Sequence, residues 1–284
     1  MDWIIGDIHG MLVPLQALVT AVRHEDSEAA IYFVGDYVNR GPDSRGVIEL
    51  LFDLPTARCV RGNHDDLLDL ILNGNCLAPA CCGADPVDAF VWFTNHGLLQ
   101  TFLSYGASQE QLERMMQYPS ARRLQELCDL VPATHKAFFA DLPTLRVLDN
   151  FFVAHARWPE SVPPSPRLDL DPILQEMLLW GRWTPAQLHT QKNWPSVGYF
   201  GHTPVPNYRS ESDIADARDL YLPIVAQQMV LIDTASALNP LGQLTAWCHQ
   251  TGSYLQADRA GNVLLTENIP DVWPGDDNQD PRRV

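Results

Sequence analysis

Trp3-Ile4-Ile5-Gly6-Asp7-Ile8-His9-Gly10 decides the fold. Three apolar residues make a short strand that ends in a glycine and a polar turn. Leu12, Leu15, Leu18, Val19 and Val22 then recur at helical spacing, with one apolar stripe. The unit repeats. Residues 29–34 read as a strand ending in Gly35-Asp36, and 44–54 as a helix with Pro42 near its start. Residues 58–61 form a third strand ending in Gly62-Asn63-His64-Asp65, and 67–72 continue as helix. Strand–helix–strand–helix–strand over so few residues predicts an α/β fold with neighbouring parallel strands. In such sheets ligands gather at the carboxyl ends of the strands. One Gly-Asp turn is ordinary turn chemistry; three, carrying two histidines, are a functional signal.

Residues 85–105, 109–117 and 121–130 read as helices, with breaks at Gly106 and Pro119. They predict a helical insertion, at about 85–142, covering one side of the sheet. Residues 145–148 and 151–154 read as strands of a hairpin turning at Asp149-Asn150. From His155 to Pro172 five prolines predict a stiff surface loop. A helix at 171–180 and strands at 197–200, 229–232, 243–247 and 263–266 follow, and they suggest a second sheet. Asp213, Asp216 and Asp219 recur at a helical interval and read as a solvated face. Residues 1–269 form one domain on this reading, and the acidic tail 270–284 frays.

The 284 residues carry 19 basic and 35 acidic side chains, a net charge of −16. That sign disfavours long nucleic acids and anionic membranes. It leaves local phosphate binding open, because metal ions or a few arginines can reverse the sign within a pocket. Six cysteines are sparse for a disulfide scaffold. With no apolar run of membrane-spanning length and no leader pattern, the expectation is a cytoplasmic protein with free thiols.

Asp7, His9, Asp36, Asn63, His64, His155 and His202 all fall at the ends of expected strands. Carboxylate oxygen and imidazole nitrogen suit manganese, iron or zinc, and no all-oxygen calcium cage is visible. Asp7 and His9, two apart in extended backbone, point to one side and can close on one ion. His24, His96, His135, His189 and His249 read as structural or solvent-facing. Trp158, Trp180, Trp183 and Trp194 read as core packing or as a stacking wall for an aromatic group.

These stretches, taken in order, resemble the calcineurin-like metallophosphoesterases. More narrowly, they resemble the phosphoprotein phosphatase branch, with its bacterial serine/threonine phosphatases and diadenosine tetraphosphatase-like enzymes. The matching runs are Gly6-Asp7-Ile8-His9-Gly10, 35–41, Gly62-Asn63-His64-Asp65, Val153-Ala154-His155-Ala156 and Gly201-His202-Thr203-Pro204. The resemblance implies a layered α/β/β/α sandwich of two mixed sheets with a helical insertion. It implies two divalent cations, with manganese first and iron or zinc as alternatives. Asp7 and His9 would hold one, Asn63, His155 and His202 the other, and Asp36 would bridge both. His64 would be the general acid, and Arg40 and Arg182 would bind phosphate. Such ions, about 4 Å apart, activate water and clamp the phosphoryl oxygens.

Two residues depart from the pattern. Protein phosphatases of this branch place an aspartate where this chain has Asn39, which orients His64 but cannot lend it negative charge. Arg157 stands where relatives commonly have glycine, and it is a candidate for the substrate rim, touching a second phosphate or acidic group. The expected function is metal-dependent hydrolysis of a phosphorylated protein or peptide, or of a small phosphate ester. Serine/threonine dephosphorylation comes first, with phosphotyrosine activity possible. The alternatives are a diadenosine tetraphosphatase-like hydrolase of dinucleoside polyphosphates and a non-catalytic phosphate-binding scaffold.

Overall fold

A computed structural model describes residues 1–54, 57–166, 171–209 and 216–266. The first sheet contains β1 (Asp2–Ile5), β2 (Ala30–Phe33), β3 (Ala57–Cys59), β9 (Leu244–Cys248), β10 (Tyr254–Ala257) and β11 (Val263–Thr266). Their spatial order is β11-β10-β9-β1-β2-β3. β1 pairs parallel with β2, as β2 does with β3, whereas β9 runs antiparallel to β1. The second sheet has the order β4-β5-β6-β8-β7, from β4 (Leu145–Val147), β5 (Phe151–Ala154), β6 (Val197–Phe200), β7 (Ile224–Ala226) and β8 (Met229–Leu231). β5, β6 and β8 are parallel, with antiparallel β4 and β7 at the edges. Both sheets are mixed, as expected.

Ile4, Tyr32, Val34, Val60 and Trp247 of the first sheet meet Phe151, Val153, Tyr199, Val230 and Ile232 of the second in one buried layer. The outer face of the first sheet is covered by α1 (Leu12–Glu25), α2 (Ser44–Asp53) and α3 (Asn63–Asn73), together with the insertion. In α1 the stripe Leu15, Leu18, Val19 and Val22 is buried, which is what its spacing demands. The outer face of the second sheet packs on Trp158, Leu178, Trp183, Leu188 and Trp194. Helices α9 (Pro172–Trp180) and α10 (Pro185–Leu188) supply Leu178 and Leu188. The result is an α/β/β/α sandwich.

The insertion contains α4 (Pro86–Phe93), α5 (Leu98–Ser104), α6 (Gln109–Gln117), α7 (Ala121–Cys128) and α8 (Ala133–Asp141). The long helix expected at 85–105 is broken at Gly97, whose φ is +84°. A Cβ there would lie 2.6 Å from the Arg40 backbone nitrogen. The helix breaks so that the insertion can dock on the 39–41 loop. The helix α8 was not expected. Its anchor is the buried Arg61, which donates to Asp66 Oδ1 at 2.9 Å and Asp69 Oδ2 at 3.0 Å on α3. The same guanidinium donates to the carbonyls of Phe139, Ala140 and Leu142 at the end of α8.

The proline-rich loop is less superficial than expected. Trp158 is wholly buried and donates from Nε1 to the Val162 carbonyl. Residues 167–170, Asp213 and the tail 270–284 lie outside the described residues. Asp216 caps a 3-10 turn by accepting from the Arg218 N–H. All six cysteines are free thiols. No helix among the described residues is long and apolar enough to cross a membrane.

Truncating Arg61 leaves Asp66 and Asp69 buried without their cation. Arg61→Ala is expected to cost about 3–5 kcal/mol in denaturant unfolding. A loss below about 1 kcal/mol would show that the insertion is held mainly by apolar contacts.

Candidate metal centre and catalytic site

Six parallel strands from two sheets deliver their carboxyl ends to one place. Asp7 and His9 follow β1, Asp36 follows β2, and Asn63 and His64 open α3 after β3. His155 follows β5, His202 follows β6 and Asp233 follows β8. All are buried. Five residues here hold left-handed backbone without being glycine: His9 (+48°), Asp36 (+57°), Asn39 (+72°), Arg40 (+63°) and His202 (+67°). That conformation costs roughly 1–2 kcal/mol per residue and concentrates where function holds the chain in place. Two glycines make room for the carboxylates. A Cβ on Gly201 would lie 1.8 Å from Asp7 Oδ1, and one on Gly62 would lie 2.1 Å from Asp36 Oδ1.

Asp36 is the centre. Its Oδ2 lies 3.4 Å from His9 Nε2, and its Oδ1 lies 3.4 Å from His155 Nε2. Potential ligand atoms cluster in two groups, His9–Asp36–His64 and Asp7–Asp36–His155, with Asp36 in both. Asp7 falls in one group and His9 in the other, with Asp36 common to both. His9 Nε2 contacts the Arg40 guanidinium, and the turn at His9 is left-handed where the spacing alone assumed extended backbone.

Two of the histidines are held in a form that could bind a cation. His9 Nδ1 donates to the Val38 carbonyl at 2.9 Å, and His155 Nδ1 donates to the Val34 carbonyl at 2.8 Å. Each bond fixes the tautomer and leaves an Nε2 lone pair facing the site. Burial pushes both rings down in pKa, to about 4 for His155, and pushes His202 down as well, so all three are neutral at pH 7. Asn63 Oδ1 lies 2.9 Å from His155 Nε2 and 3.0 Å from His202 Nδ1. The oxygen and the His155 nitrogen are both acceptors. A cation held by Asn63 and His155 would remove that repulsion.

The carboxylates make the same demand for positive charge. Burial raises Asp36 to about 7, and burial with repulsion from Asp233 and Asp36 raises Asp7 well above the carboxylate range. Asp7 Oδ2 accepts from the His202 N–H at 2.9 Å, but Asp7 Oδ1 and Asp233 Oδ2 are buried and find no donor among the described residues. Hard oxygen donors and neutral imidazoles around three buried carboxylates that face a single guanidinium, Arg40, fit two divalent cations.

A family model for calcineurin-like phosphoesterases matches residues 3–206, which span Asp7, His9, Asp36, Asn63, His64, His155 and His202. The chain belongs to the calcineurin-like phosphoesterase family. Among curated relatives, symmetrical bis(5'-nucleosyl)-tetraphosphatase of Legionella pneumophila (strain Corby) is 43% identical over 75 residues. The match covers 26% of this chain and 27% of the relative. The enzyme of that name from Ralstonia nicotianae is 48% identical over 64 residues, 22% of each chain. The chain thus spans about a quarter of the length of the curated relatives it matches. A crystal structure provisionally described as a diadenosine tetraphosphatase covers 94% of both chains with a TM-score of 0.52 at 21% identity. At that identity the likeness is one of fold.

In this phosphoesterase the expected acid, His64, lies beside the ligands. Its Nδ1 is 2.8 Å from Asn39 Nδ2 and its Nε2 is 3.2 Å from Arg40 Nη2. Asn39 Oδ1 accepts from Thr101 Oγ at 2.7 Å, and the Asn39 N–H donates to the same hydroxyl at 2.9 Å. Both His64 nitrogens face N–H donors. Burial foremost, with the Arg40 guanidinium beside it, pushes its pKa well below the usual imidazole value. Arg182 stands at the rim and donates to Thr203 Oγ at 3.0 Å. Arg157 is paired with Glu160 at 3.0 Å and stacked 5.3 Å from the Trp183 ring centroid. Trp158, Trp183 and Trp194 are core, and Trp180 is at the rim, 6.2 Å from His202.

Several residues at the site escaped the sequence reading. Asp65 accepts from the backbone N–H groups of Asp36, Tyr37 and Gly62 at 2.8–3.0 Å, and so splices two ligand loops. It sits inside a quoted motif, but a capping carboxylate has no signature of its own. His96, read as structural, lies 6.2 Å from the His64 ring. Asp233 and Thr101 arrive from distant segments that no local spacing links to the ligands.

A cation must displace the Asp36 proton below pH about 7, whereas the histidines are already neutral. Manganese should therefore raise the Tm more at about pH 7.5 than at about pH 5.5, read against EDTA-treated protein by scanning fluorimetry. A gain that is flat or shrinks as pH rises contradicts this electrostatic account.

Proposed function

We propose that this phosphoesterase hydrolyses the phosphoanhydride chain of a dinucleoside polyphosphate, with two divalent cations, manganese first. The observation that carries the reading is the amide on His64. A carboxylate there would favour the imidazolium and keep the proton-donating form populated near neutral pH. Asn39 cannot, so the site suits a leaving group that departs with little help. Cleaving an anhydride releases a phosphate oxygen, whose second pKa is about 6. Cleaving phosphoserine expels an alkoxide that must be protonated. The names of the curated relatives support the anhydride over the serine/threonine phosphatase expected first.

When bound, the cations supply an activated water and neutralise charge on the phosphoryl group. Asp7, Asp36, Asn63, His9, His155 and His202 hold them. The guanidiniums of Arg40 and Arg182 meet the equatorial phosphoryl oxygens. The leaving oxygen departs on the side of His64, whose Nε2 faces the site and delivers the proton. Thr101 and Asn39 hold that ring.

Metal-loaded protein should cleave diadenosine tetraphosphate with a kcat/KM at least about tenfold above that for a phosphoserine peptide. The reverse order would return the reading to protein phosphatase. Asn39→Asp should raise the rate on alkyl phosphates, with poor leaving groups, more than on the anhydride. Equal or lower rates on all alkyl esters at unchanged metal content would refute the role assigned to the amide.

A further inference from the structure

The insertion places an aromatic strip beside the acid. Phe93 lies 4.8 Å from the His64 ring and stacks on Trp92 at 5.8 Å with an interplanar angle of 12°. His96 bridges the two, 6.2 Å from His64 and 5.0 Å from Trp92. Across the opening, Trp180 stands 6.3 Å from Trp92 and 6.2 Å from His202. The strip therefore runs from the general acid to the last metal ligand along two elements, α4 and α9, far apart in sequence.

Trp92 is 48% exposed while Phe93 beside it is buried. An indole left half in water keeps a large apolar surface that the described residues do not cover. It lies on the side of the site where His64 meets the leaving group. Trp92, with Trp180 across the opening, presents a π face and no charge, which suits a flat neutral ring better than an acidic or basic peptide.

We propose that Trp92, backed by His96 and Trp180, is the platform on which a nucleobase of the leaving nucleotide stacks, so that it selects base-bearing polyphosphates. This rests on the anhydride-hydrolase reading and assigns its specificity to the insertion. Base stacking on an aromatic side chain tolerates any base, because every base has a π face. The platform would accordingly distinguish nucleotide from inorganic polyphosphate more than adenine from guanine.

The test compares wild type, Trp92→Ala and Trp92→Phe on diadenosine tetraphosphate and on inorganic tetraphosphate, which has the same anhydride and no base. The ratio of the two kcat/KM values should fall about tenfold in Trp92→Ala, through KM, and recover most of the way in Trp92→Phe. If dinucleoside cleavage occurs and the ratio does not move, the platform is refuted while the reaction stands. Binding of ADP, read as quenching of tryptophan fluorescence in wild type minus Trp92→Phe, needs no turnover. Quenching lost in Trp92→Phe, with no dinucleoside cleavage by wild type, would uphold the platform and overturn the reaction. ADP that leaves Trp92 fluorescence untouched overturns the platform in either case.

Discussion

Three buried carboxylates, Asp7, Asp36 and Asp233, repel one another at the junction of two sheets, and the rest of the site is arranged around that repulsion. Burial magnifies the cost of ionising them. Arg40 faces them, but its guanidinium is engaged with His9 and His64. The fold withstands the repulsion because the ligand loops are fixed independently of any cation. Asp65 ties three backbone N–H groups together, the Val34 and Val38 carbonyls hold two imidazoles, and Gly62 and Gly201 open the space that the carboxylates occupy. Five left-handed residues persist there because their surroundings leave no alternative.

The insertion connects this centre to the choice of substrate. Thr101 on α5 holds Asn39, and the Gly97 carbonyl at the start of α5 accepts from the Arg40 N–H at 3.1 Å, so the insertion sets the position of the two residues that face the His64 ring nitrogens. The same segment carries Trp92 and His96. Ligand residues sit at strand ends of the rigid sandwich, whereas the groups around the leaving side belong to helices added to it. A division of that kind lets one metal centre serve different esters through a change of insertion.

The sandwich was legible because its signal is local. Short apolar strands ending in Gly-Asp or Gly-His turns, with periodic helices between them, leave few topologies open. The candidate ligands were legible for the same reason, each lying one to four residues beyond a strand. What was hidden depends on contacts between distant segments. Nothing in 85–105 shows that Gly97 must meet Arg40, and a run of helix formers reads as one helix. Arg157 was the residue judged from a motif position alone, and its surroundings, Glu160 and Trp183, tie it into the loop. Trp92 lies outside every ligand motif, so only the folded insertion brings it to the acid.

The central claim is that Asp36 joins two cation sites. Equilibrium dialysis of wild type and Asp36→Asn against manganese, with metal and protein counted in each, tests it most directly. The account predicts two ions per chain in wild type and loss of at least one in Asp36→Asn, with the far-ultraviolet spectrum unchanged. One ion or none in wild type, or two retained without the carboxylate, would contradict it.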